Sequence, residues 1–422
     1  FLACPDNLLR ERATGAIFER EKFEIQPAMP PEPGLVKAAA RLLVDADNPL
    51  ILAGNELRYH GAESELKEMA ELLGIPVAKN MLATWCKPFP TDHPLFAGAY
   101  QVPSRYPGEV DVLLNLGSRM PYFTGSRLRL ESGTKLIQVR VDPMNLGRVY
   151  PTEIAMVADT RSTLSALLEE VRKTSSGRRL KRVAAERTQR ARSYQAERKA
   201  SLEAIARRRW GRSPISGERL VMELEAVLDP ESVIVSENDT YQIAIDSYMT
   251  FGPGRKDYFT NCGLALGWGL PAAFGVQLAM PDRPVVALVS DGAFLFSGPQ
   301  PLWSYARYQA PVLVLVLNNR SYNAERARIM MGRGRSYQTG RDMVCYLGNP
   351  DVNYASLAQG FGVEGEVVSE PGDLRAALER GMRATIEGRP YLLDVHVERS
   401  GSLATSTWHP EFSVAALRGR GS

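Results

Sequence analysis

Two apolar runs of strand length end in groups that could hold a hard cation. Val285-Val-Ala-Leu-Val runs into Ser290-Asp291-Gly292-Ala293, and Val312-Leu-Val-Leu-Val-Leu runs into Asn318-Asn319-Arg320-Ser321. Between them, the apolar spacing predicts a helix over residues 299–309, with Leu302, Trp303, Tyr305 and Ala306 as its inner face. Strand, helix, strand implies two parallel strands. Neighbours in such a sheet lie ~4.8 Å apart, so Asp291 and Asn319, at two carboxyl ends, could share one ion. The donors are all oxygens with no His or Cys beside them, which favours Mg²⁺ or Ca²⁺ over zinc. Gly292 and Ala293 lead into a helix N-terminus, whose free N–H groups suit a phosphate. These groups describe a Mg²⁺–diphosphate site. A plain βαβ unit, with Asp291 capping the helix and Asn318-Asn319 making a turn, fits the same residues.

The elements that must position these groups alternate along the chain. Residues 35–44 read as an amphipathic helix, 49–55 as a buried strand, 63–73 as a helix and 75–78 as a strand. Residues 110–117 and 135–142 are further strands, which makes an open parallel sheet with helices on both faces. Gly54 and Gly117 follow strands where a doubly wound fold binds nucleotides, yet neither builds a GxGxxG. Arg119 and Arg140 could meet a phosphate and read better as solvated arginines. A capped helix starts near Ser213-Pro-Ile-Ser, with Leu220, Leu224 and Val227 as its apolar face. Residues 232–240 form a strand emptying into polar residues; 354–361 and 372–387 are helices, and 391–397 is a closing strand. Residues 1–10 read as a strand, and 24–34, with four prolines, as a linker. The fold class is α/β, with two doubly wound parallel-sheet domains joined by a basic helical linker.

A length of 422 residues suits two or three domains, and 44% apolar with 23% charged residues is the balance of a soluble globular protein. No apolar run approaches the ~20 residues of a membrane span, and no signal peptide is visible. Cys4, Cys86, Cys262 and Cys345 are scattered without a CxxC pair, as expected of reduced thiols in a cytoplasmic protein. The net charge of +3 hides an asymmetry: residues 172–212 hold 15 Lys or Arg against Glu186, Glu197 and Glu203. With only Tyr194 and Trp210 interleaved and apolar residues at helical spacing, this stretch reads as a solvated linking helix rather than a nucleic-acid site.

Ser-Asp-Gly, 25 intervening residues and Asn-Asn resembles the signature of thiamine-diphosphate enzymes, which usually reads Gly-Asp-Gly at this spacing. Upstream, Gly263-Leu-Ala-Leu-Gly-Trp-Gly-Leu-Pro-Ala-Ala resembles the segment that cradles the aminopyrimidine ring, and Asp282-Arg-Pro-Val-Val leads into the metal strand as it does there. The chain thus resembles the acetolactate synthase, benzoylformate decarboxylase and pyruvate decarboxylase group. That resemblance divides it into a remnant of a pyrimidine-binding domain and linker (1–34), a central domain (35–170), the basic linker (171–212), a diphosphate-binding domain (213–400) and a tail (401–422).

The resemblance also assigns roles. The metal would take Asp291, the Asn319 carboxamide and the Ser321 backbone carbonyl, with two diphosphate oxygens and a water. Gly292 and Ala293 would donate backbone N–H groups to the diphosphate. Asp239 and Thr240 match a second diphosphate loop, although Asp239 could instead be a helix N-cap. Leu266 would buttress the bent cofactor, and the Leu264 carbonyl would accept from its 4′-amino group; an ordinary core leucine is the alternative for Leu266. Ser290 and Leu264 stand where glycine is commoner. The activating Glu belongs to the first domain and crosses a subunit interface, so no catalytic residue is assigned here.

The implied reaction is lyase or carboligase chemistry on a 2-oxo acid or related acyl donor, a small-molecule substrate contacted by Tyr322, Asn323 or Arg326. A 2-hydroxyacyl-CoA or oxalyl-CoA type lyase and a non-catalytic regulatory or scaffold subunit of the same fold are the alternatives. Some members hold FAD or CoA in the central domain, with little support in this sequence. The expected partners are further copies, as a dimer or tetramer, or a companion chain carrying the pyrimidine domain. His409 is a weak candidate in the tail. This chain alone is expected to bind cofactor weakly and not to turn over.

Overall fold

Two six-stranded parallel sheets, each flanked by helices, make up the architecture of the computed structural model. It describes residues 3–24, 29–80, 86–100, 106, 108–120, 130, 133–252, 256–261, 263, 265–342 and 344–408. Ahead of the first sheet, α1 (Asp6–Arg10) buries no residue. The strand expected over residues 1–10 is therefore not formed. Among the described residues no neighbouring strand pairs with it, and its backbone closes locally through Leu8 N to Pro5 O.

The first sheet is assembled from α2 (Pro33–Asp45), β1 (Leu50–Ala53), α3 (Glu56–Tyr59), α4 (Glu63–Leu73), β2 (Val77–Asn80), β3 (Phe96–Tyr100), β4 (Val112–Leu116), β5 (Lys135–Arg140), β6 (Ile154–Val157) and α5 (Thr160–Thr174). Its order is β3-β2-β1-β4-β5-β6. The chain then enters α6 (Gly177–Arg209), the basic helix expected from the charge run.

The second sheet follows α7 (Gly217–Val227) and contains β7 (Val233–Glu237), α8 (Gln242–Tyr248), β8 (Asp257–Thr260), α9 (Gly269–Ala279), β9 (Val285–Ser290), α10 (Asp291–Ser297), α11 (Gln300–Arg307), β10 (Val312–Asn318), α12 (Asn323–Met331), α13 (Arg335–Thr339), α14 (Tyr354–Gly360), β11 (Glu364–Val368), α15 (Leu374–Ile386) and β12 (Tyr391–His396). Its order is β11-β12-β10-β9-β7-β8, and β9 pairs with β10 in parallel with Ser290 opposite Leu317. Every residue of β4 and β10 is buried, as strands covered on both faces require. In α11, Leu302 and Tyr305 are buried as expected, but Trp303 is 51% exposed and lies outside the core. Its indole instead carries the Arg307 guanidinium.

The basic helix is fastened at both ends. Arg187 is buried and donates to the carbonyls of Leu43, Val44 and Ala46 at the end of α2 and of Leu73 at the end of α4. Toward its other end, Arg209 pairs with Glu218 and Glu398, and the Leu202 carbonyl accepts from the Tyr248 hydroxyl. The sheets also touch directly. Thr91 and Phe251 exchange hydrogen bonds at 2.9 Å, and Lys79 and Lys87 both reach the buried carboxylate of Asp246 on α8.

Candidate functional site

In an open parallel sheet, a ligand crevice forms at carboxyl ends where the strand order reverses. The second sheet reverses between β7 and β9. A pocket opens there, lined by Asn238, Asp239 and Thr240 after β7, Thr260 and Asn261 at the end of β8, Ala265 and Leu266 before α9, Ser290 and Gly292 at the end of β9, and residues 321–325 after β10. The structure thus brings together the segments that the sequence singled out separately. Leu264 lies outside the described residues, as do Cys262 and His409.

Asp291 is fully buried at the first turn of α10. Its carboxylate accepts from Gly292 N at 2.9 Å and, across the strand gap, from Ser321 N at 3.0 Å. That second bond ties the β9 and β10 loops into one unit. Burial pushes the Asp291 carboxyl up to about 7, against the pull of these backbone donors. Asp291 does not cap α10. The cap is Ser290, whose hydroxyl accepts from Ala293 N at 3.3 Å, which accounts for a serine where glycine is commoner.

The two asparagines after β10 differ. Asn318 is occupied at both ends, donating to Asp394 at 2.9 Å and accepting from Arg320 N at 3.2 Å. Asn319 donates to the Tyr241 hydroxyl at 3.4 Å, and its buried Oδ1 has no partner; nor does the buried Oγ of Ser321. Unsatisfied buried oxygens are costly. Two of them on the loop whose Ser321 N–H binds the buried Asp291 carboxylate fit an oxygen-seeking cation, whose charge would draw the Asp291 carboxyl back down. Among the described residues no cluster of three His, Cys, Asp or Glu side chains could hold a metal, so such an ion would depend on carboxamide and carbonyl oxygens.

The other expected residues fall as follows. Thr240 is partly exposed at the pocket, and Leu266 is 45% exposed there, so it is not an ordinary core leucine. Asp239 lines the pocket and caps nothing; the residue that binds Tyr241 N, at 2.9 Å, is Asn238. Burial raises the Asp239 carboxyl, with Arg328 pulling it down and Glu325 pushing it up. Tyr322 lies over Gly292, where a Cβ would come within 2.6 Å of its ring. Such a contact leaves room only for glycine.

Arg326 is not placed to meet substrate. It is fully buried and holds Asn323 Oδ1 and the carbonyls of Ser400, Ser402 and Leu403, so it clamps the C-terminal segment against α12. Arg326→Met is expected to lower stability by roughly 3 kcal/mol, because several buried carbonyls lose a charged donor. Limited proteolysis should then cut near residue 403 faster than in wild type; unchanged cleavage and an unchanged denaturation midpoint would count against the clamp.

Glu237 was not anticipated. It ends β7 and accepts from the backbone N–H groups of Gly267, Trp268 and Gly269 at the start of α9, which shapes the turn carrying Leu266. Burial raises its carboxyl despite these donors. The signal was an acidic residue at the end of an apolar strand, with no positional cue for what it would hold.

In the first sheet the reversal lies between β1 and β4, where Gly54 and Gly117 meet. A Cβ on Gly54 would stand 2.3 Å from the Gly117 carbonyl. Beside them Arg140 is not solvated: it donates to Glu56 at 2.8 and 2.9 Å, while Arg119 is exposed.

Profiles of two families match the chain: "Thiamine pyrophosphate enzyme, central domain" over residues 36–167, and "Thiamine pyrophosphate enzyme, C-terminal TPP binding domain" over residues 240–395. Similar proteins include a probable acetolactate synthase large subunit of Methanococcus aeolicus, 26% identical over 388 residues, covering 88% of this chain and 62% of the relative. The benzoylformate decarboxylase of Pseudomonas aeruginosa is 28% identical over 405 residues, covering 94% and 70%. Among solved structures, a thiamine diphosphate-dependent 4-hydroxybenzoylformate decarboxylase of Rhodococcus jostii RHA1 superposes with a TM-score of 0.69 at 26% identity, covering 90% of this chain and 67% of that one. The chain spans about three fifths of the length of the acetolactate synthase relatives.

Proposed function

Since the chain belongs to the thiamine pyrophosphate enzyme family, carrying its central and C-terminal TPP-binding domains, we propose that it is the diphosphate-binding part of a Mg²⁺-dependent lyase or carboligase. Its substrate would be a 2-oxo acid or a related acyl donor. The observation that carries this reading is the buried Asp291 carboxylate, bonded across the strand gap to Ser321 N on a loop whose Asn319 keeps a buried Oδ1 without a partner. Bound thiamine diphosphate supplies a carbon nucleophile and an electron sink, which no side chain provides.

The residues divide the work of holding it. Asp291, Asn319 and the Ser321 carbonyl would bind the cation. Gly292 N–H now donates to Asp291; a carboxylate committed to a metal would leave that N–H for a diphosphate oxygen. The Thr240 hydroxyl would add a donor, whereas Ala293 N–H, expected to do the same, is taken up by the Ser290 cap. Leu266 would present an apolar edge under the cofactor rings, on a turn fixed by Glu237. The group that activates the cofactor is assigned to a pyrimidine-binding domain supplied by further polypeptide, in a homo-oligomer or a companion chain. The apolar side chains exposed on α10 and α11, Leu295, Phe296 and Trp303, support a surface covered in such an assembly.

Titration calorimetry tests this directly. Thiamine diphosphate added with Mg²⁺ should give a saturable heat near one site per chain, lost when Mg²⁺ is withheld. The absence of any heat would falsify the reading.

A further inference from the structure

We infer that Tyr241 is a positioning residue: its buried hydroxyl sets the orientation of the Asn319 carboxamide so that the oxygen, not the nitrogen, faces the proposed cation. This rests on the cofactor reading above. A phenol has one proton to give, and that of Tyr241 goes to the carbonyl of Glu398, which can only accept. Toward Asn319 the phenol oxygen is therefore restricted to accepting. The carboxamide must turn its NH₂ group to Tyr241, as it does at 3.4 Å, and so must turn Oδ1 the other way. That oxygen is left buried with no partner, as expected of a ligand prepared for an ion.

The tyrosine is itself held from several sides. It is buried, its N–H donates to Asn238 Oδ1, and its ring lies against Gly217 at the start of α7. A Cβ at Gly217 would stand 2.7 Å from the ring, so this position keeps the hydroxyl in line. Without the tyrosine oxygen, the two ends of the Asn319 amide lose the difference that selects one over the other. Binding an ion would then have to order the carboxamide as well as meet it, which is how partners behind metal ligands act.

The test is calorimetric titration of the full chain with Mg²⁺ at saturating thiamine diphosphate. Tyr241→Phe keeps the ring and should raise the Mg²⁺ dissociation constant about tenfold. Asn319→Asp provides the control, because a carboxylate presents oxygen on both sides and needs no selection. In that background Tyr241→Phe should change the constant by less than about threefold, an outcome that general loosening of the fold would not produce. Equal losses in both backgrounds, or a Tyr241→Phe value within about twofold of wild type, overturn the inference. If instead the wild-type chain shows no Mg²⁺-dependent binding, the cofactor reading fails first.

Discussion

Asp291→Ala should abolish the Mg²⁺-dependent heat of thiamine diphosphate binding and, in metal-free buffer, reduce the pH dependence of stability between about pH 4 and 7. The second effect follows from burial, which holds the folded-state carboxyl near 7 against an ordinary value of 3.8. Between those values the folded protein keeps a proton that the unfolded chain releases. Its contribution is fully present below about 4 and is lost as pH rises through about 7, a swing on the order of 4 kcal/mol. The alanine variant lacks that carboxyl and should lose its share of the slope, leaving the smaller share of other raised carboxyls such as Glu237 and Asp239. With ligand at a hundred times its dissociation constant, wild type should gain ~2.7 kcal/mol and the variant nothing. Denaturation midpoints across pH, with chelator and then with Mg²⁺ and cofactor, separate the two effects. An unchanged slope in Asp291→Ala would show that another group carries it.

Asp246→Ala should cost about 3–5 kcal/mol, because Lys79 and Lys87 would be left buried with no opposite charge. Lys87 sits over the rings of Phe251 and Tyr258, and desolvation there drives its ammonium well below the ordinary 10.5, although Asp246 pulls it up. A base depressed in the folded state is protonated more readily in the unfolded chain. Through the alkaline window below 10.5, stability therefore rises with pH. Lys87→Met keeps the contact with the rings, removes one buried charge and leaves the Lys79–Asp246 pair. It should be neutral or stabilising and should remove that alkaline rise. Urea denaturation at neutral and alkaline pH measures both variants, and a large loss in Lys87→Met would contradict this account. The cluster joins β2 of one sheet to α8 of the other, so Asp246→Ala should also loosen the contact between the sheets.

The strands that sequence pattern revealed and those it hid differ in position. The runs at β1, β4, β5, β7, β9, β10 and β12 are buried stretches of Val, Ile and Leu, legible because helices cover both faces. The four that went unread, β3, β6, β8 and β11, are the edge strands of the two sheets. An edge strand such as Glu-Gly-Glu-Val-Val needs less apolar surface, and its pairing depends on a neighbour that no local pattern specifies. The proposed cation site was legible for a related reason: it lies at the ends of two central strands, where an abrupt change from apolar to oxygen-bearing residues is local in the chain. Arg326, Glu237 and Tyr241 were misread or missed because their partners lie 30 to 157 residues away. Long-range partners of that kind appear only once the chain is folded.

The two-ended anchoring of α6 bears on how the molecule opens. Its first half is bolted by Arg187 to the C-termini of α2 and α4, where a guanidinium also offsets the negative ends of two helix dipoles. Its second half belongs through Arg209 and Leu202 to the neighbourhood of α7 and α8. A helix shared in this way acts as a splint and not as a hinge. Its amides should exchange with solvent in two blocks, the first tracking the protection of α2 and α4 and the second that of α7. The boundary between those blocks marks the place where the chain can flex while both sheets stay folded.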